Sequence, residues 1–111
     1  MPSFDIGEIV KVPFPYTDRP VREWRPALVV RGGSIQDQHG LLWVMMVTSA
    51  KNQGWTGDVN VSDLKLAGLP VASVVRTAKI ATIEGREAVR IGILPLADRG
   101  AVHEQVSEIL S

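Results

Sequence analysis

Between Lys11 and Arg25 the chain carries four basic side chains, Lys11, Arg19, Arg22 and Arg25, against the two acidic ones Asp18 and Glu23. Such a segment can hold phosphates at short range, although a solvated loop of mixed charge would look the same. Trp24 and Trp55 could stack unpaired bases, a contact worth about 1 to 3 kcal/mol per base, or could equally anchor a protein interface. The other reactive groups are few. There is no cysteine, and the two histidines, His39 and His103, are isolated, so a thiolate zinc site is excluded and neither a hydrolytic metal site nor a histidine-based triad has a recognisable motif. Neither GxxxxGK[ST] nor GxGxxG occurs, which sets nucleotide-driven and dinucleotide-dependent reactions aside. What remains is chemistry done with arginine, hydroxyl groups and backbone amides. These groups suit cleavage of RNA by its own 2′-hydroxyl, because the substrate supplies the nucleophile. The protein need only orient it, exchange protons and stabilise a five-coordinate phosphorane, with no cofactor required.

The elements that would position these groups read mostly as strands. Val10 and Val12, flanked by charge, mark a half-exposed strand over Ile6 to Val12, and Pro13, Pro15 and Pro20 then predict a long loop over 13 to 24. Ala27 to Val30 is a short continuous apolar strand. Gly32-Gly33 and the run Gln36 to Gly40 mark a turn region, and Leu41 to Val47 reads as the most buried strand, with Met45 and Met46 in the core. A turn-rich loop from Thr48 to Gly57, containing Asn52 and Gly54, leads to Val59 and Val61. Strands are predicted near Ser73 to Thr82 and Ala88 to Leu94, joined by Glu84-Gly85-Arg86. Val102, Val106, Ile109 and Leu110 then fall on one face of a terminal helix, with Asp98 as its cap. Six or seven short strands and a final helix predict a mainly β chain with α elements, curved into a small barrel.

At 111 residues the chain is expected to form a single domain, 1–111, with little spare surface for a deep private pocket, so a site shared between subunits is expected. Its 12 basic and 12 acidic residues cancel, whereas nucleic-acid modules usually carry a basic excess. The longest apolar run, Leu41 to Val47, is far below the roughly 20 residues that span a bilayer, and residues 1 to 20 lack an apolar core behind a basic start. With no cysteine to form disulfides, these features point to the cytoplasm and away from membranes.

The order of several blocks is more specific than any of them alone. Gly7-Glu8-Ile9-Val10, then Pro13-Phe14-Pro15-Tyr16-Thr17-Asp18, then Arg25-Pro26-Ala27-Leu28-Val29-Val30 resembles the opening of the PemK/MazF toxins. Val47-Thr48-Ser49 is similar to the Thr-Ser that ends that family's central strand, and Ser73-Val74-Val75-Arg76 through Lys79-Ile80-Ala81-Thr82-Ile83 is similar to its next signature strand. The resemblance implies a small SH3-like barrel with a C-terminal helix, homodimeric, acting as the toxin of a type II toxin-antitoxin system. The implied activity is a sequence-specific, metal-independent endoribonuclease that cuts single-stranded RNA to 2′,3′-cyclic phosphate and 5′-hydroxyl ends and is restrained by a cognate antitoxin. By the same resemblance Arg25 falls on the catalytic arginine and Thr48 on the catalytic threonine or serine. Arg76 falls on an arginine that some members use near the scissile phosphate; beside these, Arg19, Arg22, Trp24, Ser49 and Lys51 are the candidate RNA-binding residues. Some members carry an aspartate two positions beyond that last arginine, where this chain has Ala78, and Glu23 or Asp18 would then have to supply the carboxylate. Two alternatives share the barrel: a gyrase-poison-like toxin, for which the terminal helix would matter and Arg25 would not, and a non-catalytic binding module.

Overall fold

The computed structural model describes residues 3–15, 22–52 and 54–111. It contains six strands, β1 (Glu8–Pro15), β2 (Arg22–Arg31), β3 (Leu41–Ser49), β4 (Val59–Asn60), β5 (Ser73–Glu84) and β6 (Val89–Ile93), with helices α1 (Ser34–His39), α2 (Leu64–Ala67) and α3 (Leu96–Leu110). The strands form one antiparallel sheet in the order β4-β5-β3-β2-β1-β6, curled into a half-barrel. This is the small barrel with a C-terminal helix that the apolar pattern predicts.

Both faces of the sheet are covered. Val10, Val12 and Phe14 on β1, Ala27 and Val29 on β2, and Leu42, Val44 and Met46 on β3 point into one core. Ile9, Leu28, Met45, Val47 and Val75 point into the other, beneath Ala67 of α2 and Val102 of α3. A strand buried on both faces reads as an unbroken apolar run, which is why Ala27 to Val29 and Val44 to Val47 show no alternation. Each fully buried aliphatic or aromatic side chain contributes about 1.5 to 3 kcal/mol of transfer free energy.

The curl has a local cause in β5. Met45 pairs with Ile80 but its neighbour Met46 pairs with Arg76, so the chain from Thr77 to Lys79 bulges out of the ladder and bends the strand. On the far side, α2 lies so close to β6 that a Cβ on Gly68, whose φ is 73°, would collide with the carbonyl of Ile91.

Three local expectations are corrected. Residues 13 to 15 and 22 to 24 are strand and not loop: Pro13 pairs with Trp24, Phe14 with Glu23 and Pro15 with Arg22. The β1–β6 pairing stops at Lys11, so the prolines beyond it break no ladder with β6. The turn region after Gly33 holds the six-residue α1, whose buried Gln36 accepts a hydrogen bond from the Phe4 amide at 3.0 Å. Its polar sequence lacks an apolar period, so only its ends were legible. The four-residue α2 is capped by Asp63, which accepts from the Leu66 amide. Asp98 does not cap α3, which starts after Pro95; it is buried inside the first turn and accepts from the amide and hydroxyl of Ser62. Among the described residues no helix is long and apolar enough to cross a membrane.

Candidate active site

The register of the central strands brings an arginine and a threonine to the same place. Arg25 stands opposite Val12 on β1, and the β2–β3 ladder begins two residues further in, with Ala27 opposite Met46. Continuing that register outward sets Arg25 against Thr48, on the face that carries Val12 and Met46. Arg25 Nη2 donates to Thr48 Oγ1 at 3.2 Å. Thr48 is 2 % exposed and also accepts from Asn52 Nδ2 at 2.5 Å. Pro26 fixes the chain direction just inside Arg25, and the Lys51 amide bonded to Ser49 Oγ at 3.2 Å shapes the turn just beyond Thr48.

Arg25, Pro26, Thr48 and Ser49 edge a cavity of about 300 Å³, whose polar lining also includes Lys11 and whose wall includes Leu69 and Val71. None of its described lining residues is acidic. The Nε of Arg25 is buried and has no hydrogen-bond partner among the described residues. An arginine with an unused buried donor, next to a lysine and with no carboxylate in the lining, favours an anion.

Arg76 is held differently. It is not among the residues lining that cavity. Its Nε and Nη2 donate to the two carboxylate oxygens of Asp58 at 3.2 and 3.0 Å, with only 8 % and 11 % of the two side chains exposed. Its guanidinium lies 4.4 Å from the centre of the Trp55 ring, and Lys79 Nζ lies 5.9 Å from the same ring. Burial pushes the Asp58 carboxyl up, but the hydrogen bonds from Arg76 and from the Trp55 amide, with the charge of Arg76, outweigh it and hold the group below the usual carboxylate range.

Trp24 is exposed on β2 opposite Pro13, Lys51 is exposed in the turn after β3, and Ser49 is half-buried at the cavity. Glu23 is half-buried on β2, two residues before Arg25 and therefore on the same face. Ala78 is exposed in the β5 bulge. Arg19, Asp18 and Tyr16 lie outside the described residues, and for Arg22 only the backbone, opposite Pro15, is described. The residue that sequence reasoning missed is Asn52. It looked like any turn residue, and only its spacing of four from Thr48 hinted that its side chain could fold back.

A curled antiparallel sheet closed by a C-terminal helix, with an arginine bonded to a strand-end threonine beside an anion-favouring cavity, defines a small class of barrel proteins. Residues 5–110 match the family model described as PemK-like, MazF-like toxin of type II toxin-antitoxin system, and the chain belongs to that family. Among solved structures it is similar to the MazE-MazF complex of Deinococcus radiodurans, at 25 % identity over 100 % of this chain and 98 % of that one, with a TM-score of 0.76. MazF of the same organism gives 23 % identity over 99 % and 98 % of the two chains with a TM-score of 0.80. A mycobacterial protein described as an endoribonuclease in complex with its cognate antitoxin gives 16 % identity over 99 % and 95 % with a TM-score of 0.73. No curated protein sequence matches the chain.

Proposed function

We propose that this toxin is a metal-independent endoribonuclease that cuts single-stranded RNA with Arg25 and Thr48. The observation that carries the reading is the Arg25–Thr48 hydrogen bond at the cavity, with Arg25 Nε still lacking a partner among the described residues. In the reaction the 2′-oxygen of the substrate bonds to phosphorus and the bond to the 5′-oxygen breaks. The 2′-hydroxyl proton passes to a base and the departing 5′-oxygen takes one up, leaving a 2′,3′-cyclic phosphate and a 5′-hydroxyl. Arg25 supplies a fixed charge and fork for the phosphorane oxygens, Thr48 a neutral hydroxyl, and Lys11 a second cation at the rim. Glu23, on the Arg25 face of β2, is the described carboxylate that this reading assigns as proton acceptor in place of the one missing at Ala78.

The proposal extends to partners. The solved complexes in which similar chains sit with MazE or with a cognate antitoxin support an antitoxin for this chain, and an acidic segment of it would suit the cavity's cationic edge. A homodimer fits the exposed apolar side chains Trp43, Ile80, Ile109 and Leu110 around a groove of about 470 Å³.

The test is incubation of purified protein with a long single-stranded RNA in excess EDTA. Cleavage with cyclic-phosphate ends is expected. Activity lost on chelation and restored by a divalent ion would overturn the arginine mechanism, and an intact RNA with growth inhibition retained would turn the reading toward a non-nuclease toxin.

A further inference from the structure

The polarity of the Thr48 hydroxyl is set by a residue that the proposed reaction does not use. A threonine hydroxyl has one proton to give and two lone pairs to receive. Arg25 Nη2 donates to Thr48 Oγ1 at 3.2 Å and Asn52 Nδ2 donates to the same atom at 2.5 Å. Both nitrogens are donors only, so both lone pairs are engaged. The hydroxyl proton must then point away from both, and Thr48 lines the cavity while Asn52 does not.

We infer that Asn52 is a positioning residue of this site: by filling the second lone pair of Thr48 it obliges the hydroxyl to donate toward a bound phosphate and denies it the role of proton acceptor. The inference rests on the endoribonuclease reading. Thr48 keeps its proton throughout the reaction, and the 2′-hydroxyl proton goes to another group.

The chain presents Asn52 with little freedom left. Ala50 N donates to Ala72 O at 2.8 Å and Asn52 N donates to Ser49 O at 3.1 Å, which fold the turn back over the end of β3. Further along the same loop, Asp58 and Trp55 are clamped by Arg76. A pre-set amide costs little ordering entropy when substrate arrives.

The experiment measures single-stranded RNA cleavage by the full chain, with kcat and KM separated. Asn52→Ala should lower kcat about tenfold, the equivalent of about 1.4 kcal/mol, and leave KM within about twofold. In a Thr48→Val background the same change should have no further effect, because its action passes through Oγ1. Asn52→Asp keeps the shape but offers a carboxylate, which takes the Thr48 proton and turns the hydroxyl inward. It should be as slow as Asn52→Ala at neutral pH, with its rate relative to the parent rising as the pH falls toward the carboxylate range. An Asn52→Asp protein as active as the parent at neutral pH would mean that the hydroxyl already donates to residue 52, and the inference would fall. So would full additivity of the Asn52→Ala and Thr48→Val losses. A readout independent of catalysis is the pair of Asn52 side-chain amide protons in NMR spectra, of which one should be shifted and exchange-protected in the parent and released in Thr48→Val. If the parent cuts no RNA, the nuclease reading fails, and this signal alone upholds or refutes the hydrogen-bond polarity.

Discussion

Arg25 and Thr48, 23 residues apart in the chain, meet because β2 and β3 pair in a register that would set them opposite each other two residues beyond the Ala27–Met46 pair, where a 3.2 Å hydrogen bond joins them. The bond ties a permanently charged donor to a hydroxyl at a cavity edge. It also leaves Arg25 Nε in reserve.

Arg25→Ala should therefore lower RNA cleavage by about 10²- to 10³-fold, the usual loss when a donor aimed at developing charge is removed. Thermal stability should barely change, since the lost group makes few bonds within the fold. Thr48→Ala should be slower than the parent but faster than Arg25→Ala, and Arg25→Lys should recover little because an ammonium keeps charge without the fork. Parallel cleavage rates and melting curves check this; parent-like cutting by Arg25→Ala would remove it from the site.

Arg76 should behave in the opposite manner. Removing one partner of a buried ion pair leaves the other uncompensated and costs about 3 to 5 kcal/mol, so Arg76→Ala should lower the melting temperature by about 10 °C or more. Asp58→Asn, which keeps the shape and part of the hydrogen bonding, should cost less. Calorimetry on the two variants would separate this from a purely catalytic role, in which Arg76→Ala melts like the parent.

The same pair predicts a pH dependence. Asp58 titrates below its ordinary value in the folded chain, so as the pH falls the unfolded chain takes up this proton first. The stabilisation is fully present above the usual carboxylate range and is lost as the pH drops through that range to the folded value. The melting temperature of the parent should exceed that of Asp58→Asn at pH 7, with the gap closing under acid conditions. A gap that widened in acid would contradict the direction of the shift.

Glu23→Gln tests the proton acceptor. If Glu23 takes the 2′-hydroxyl proton, the substitution should lower kcat by about 10²- to 10⁴-fold and remove the acid limb of the pH–rate profile, while Glu23→Asp keeps part of both. A parent-like profile for Glu23→Gln would move the role to another group.

Ile80→Glu tests the homodimer. A charge placed in the exposed apolar groove with Trp43 and Leu110 should halve the mass seen by sedimentation at micromolar concentration without lowering helix or strand content. A parent-like mass would shift the interface elsewhere.

The sequence by itself determined the mainly β character, since runs such as Leu41 to Val47 are too apolar for an exposed strand and too short for a buried helix, and the terminal helix followed from the spacing of Val102 and Val106. It also carried the ordered blocks around Arg25, Thr48 and Arg76. Only the tertiary structure decided what each of those residues touches. Pro13 to Pro15 are strand because they pair with β2 beyond the end of the β6 ladder; Asp98 serves Ser62 and not its own helix; Arg76 is occupied by Asp58, 18 residues away. Ile109 and Leu110 continue the helical period yet stay exposed, on a groove they share with Trp43 of β3 and Ile80 of β5. Local patterns record which face of an element is apolar. Partners such as Arg25 and Thr48, or Arg76 and Asp58, are set by strand order and by the β5 bulge, which are properties of the folded sheet as a whole.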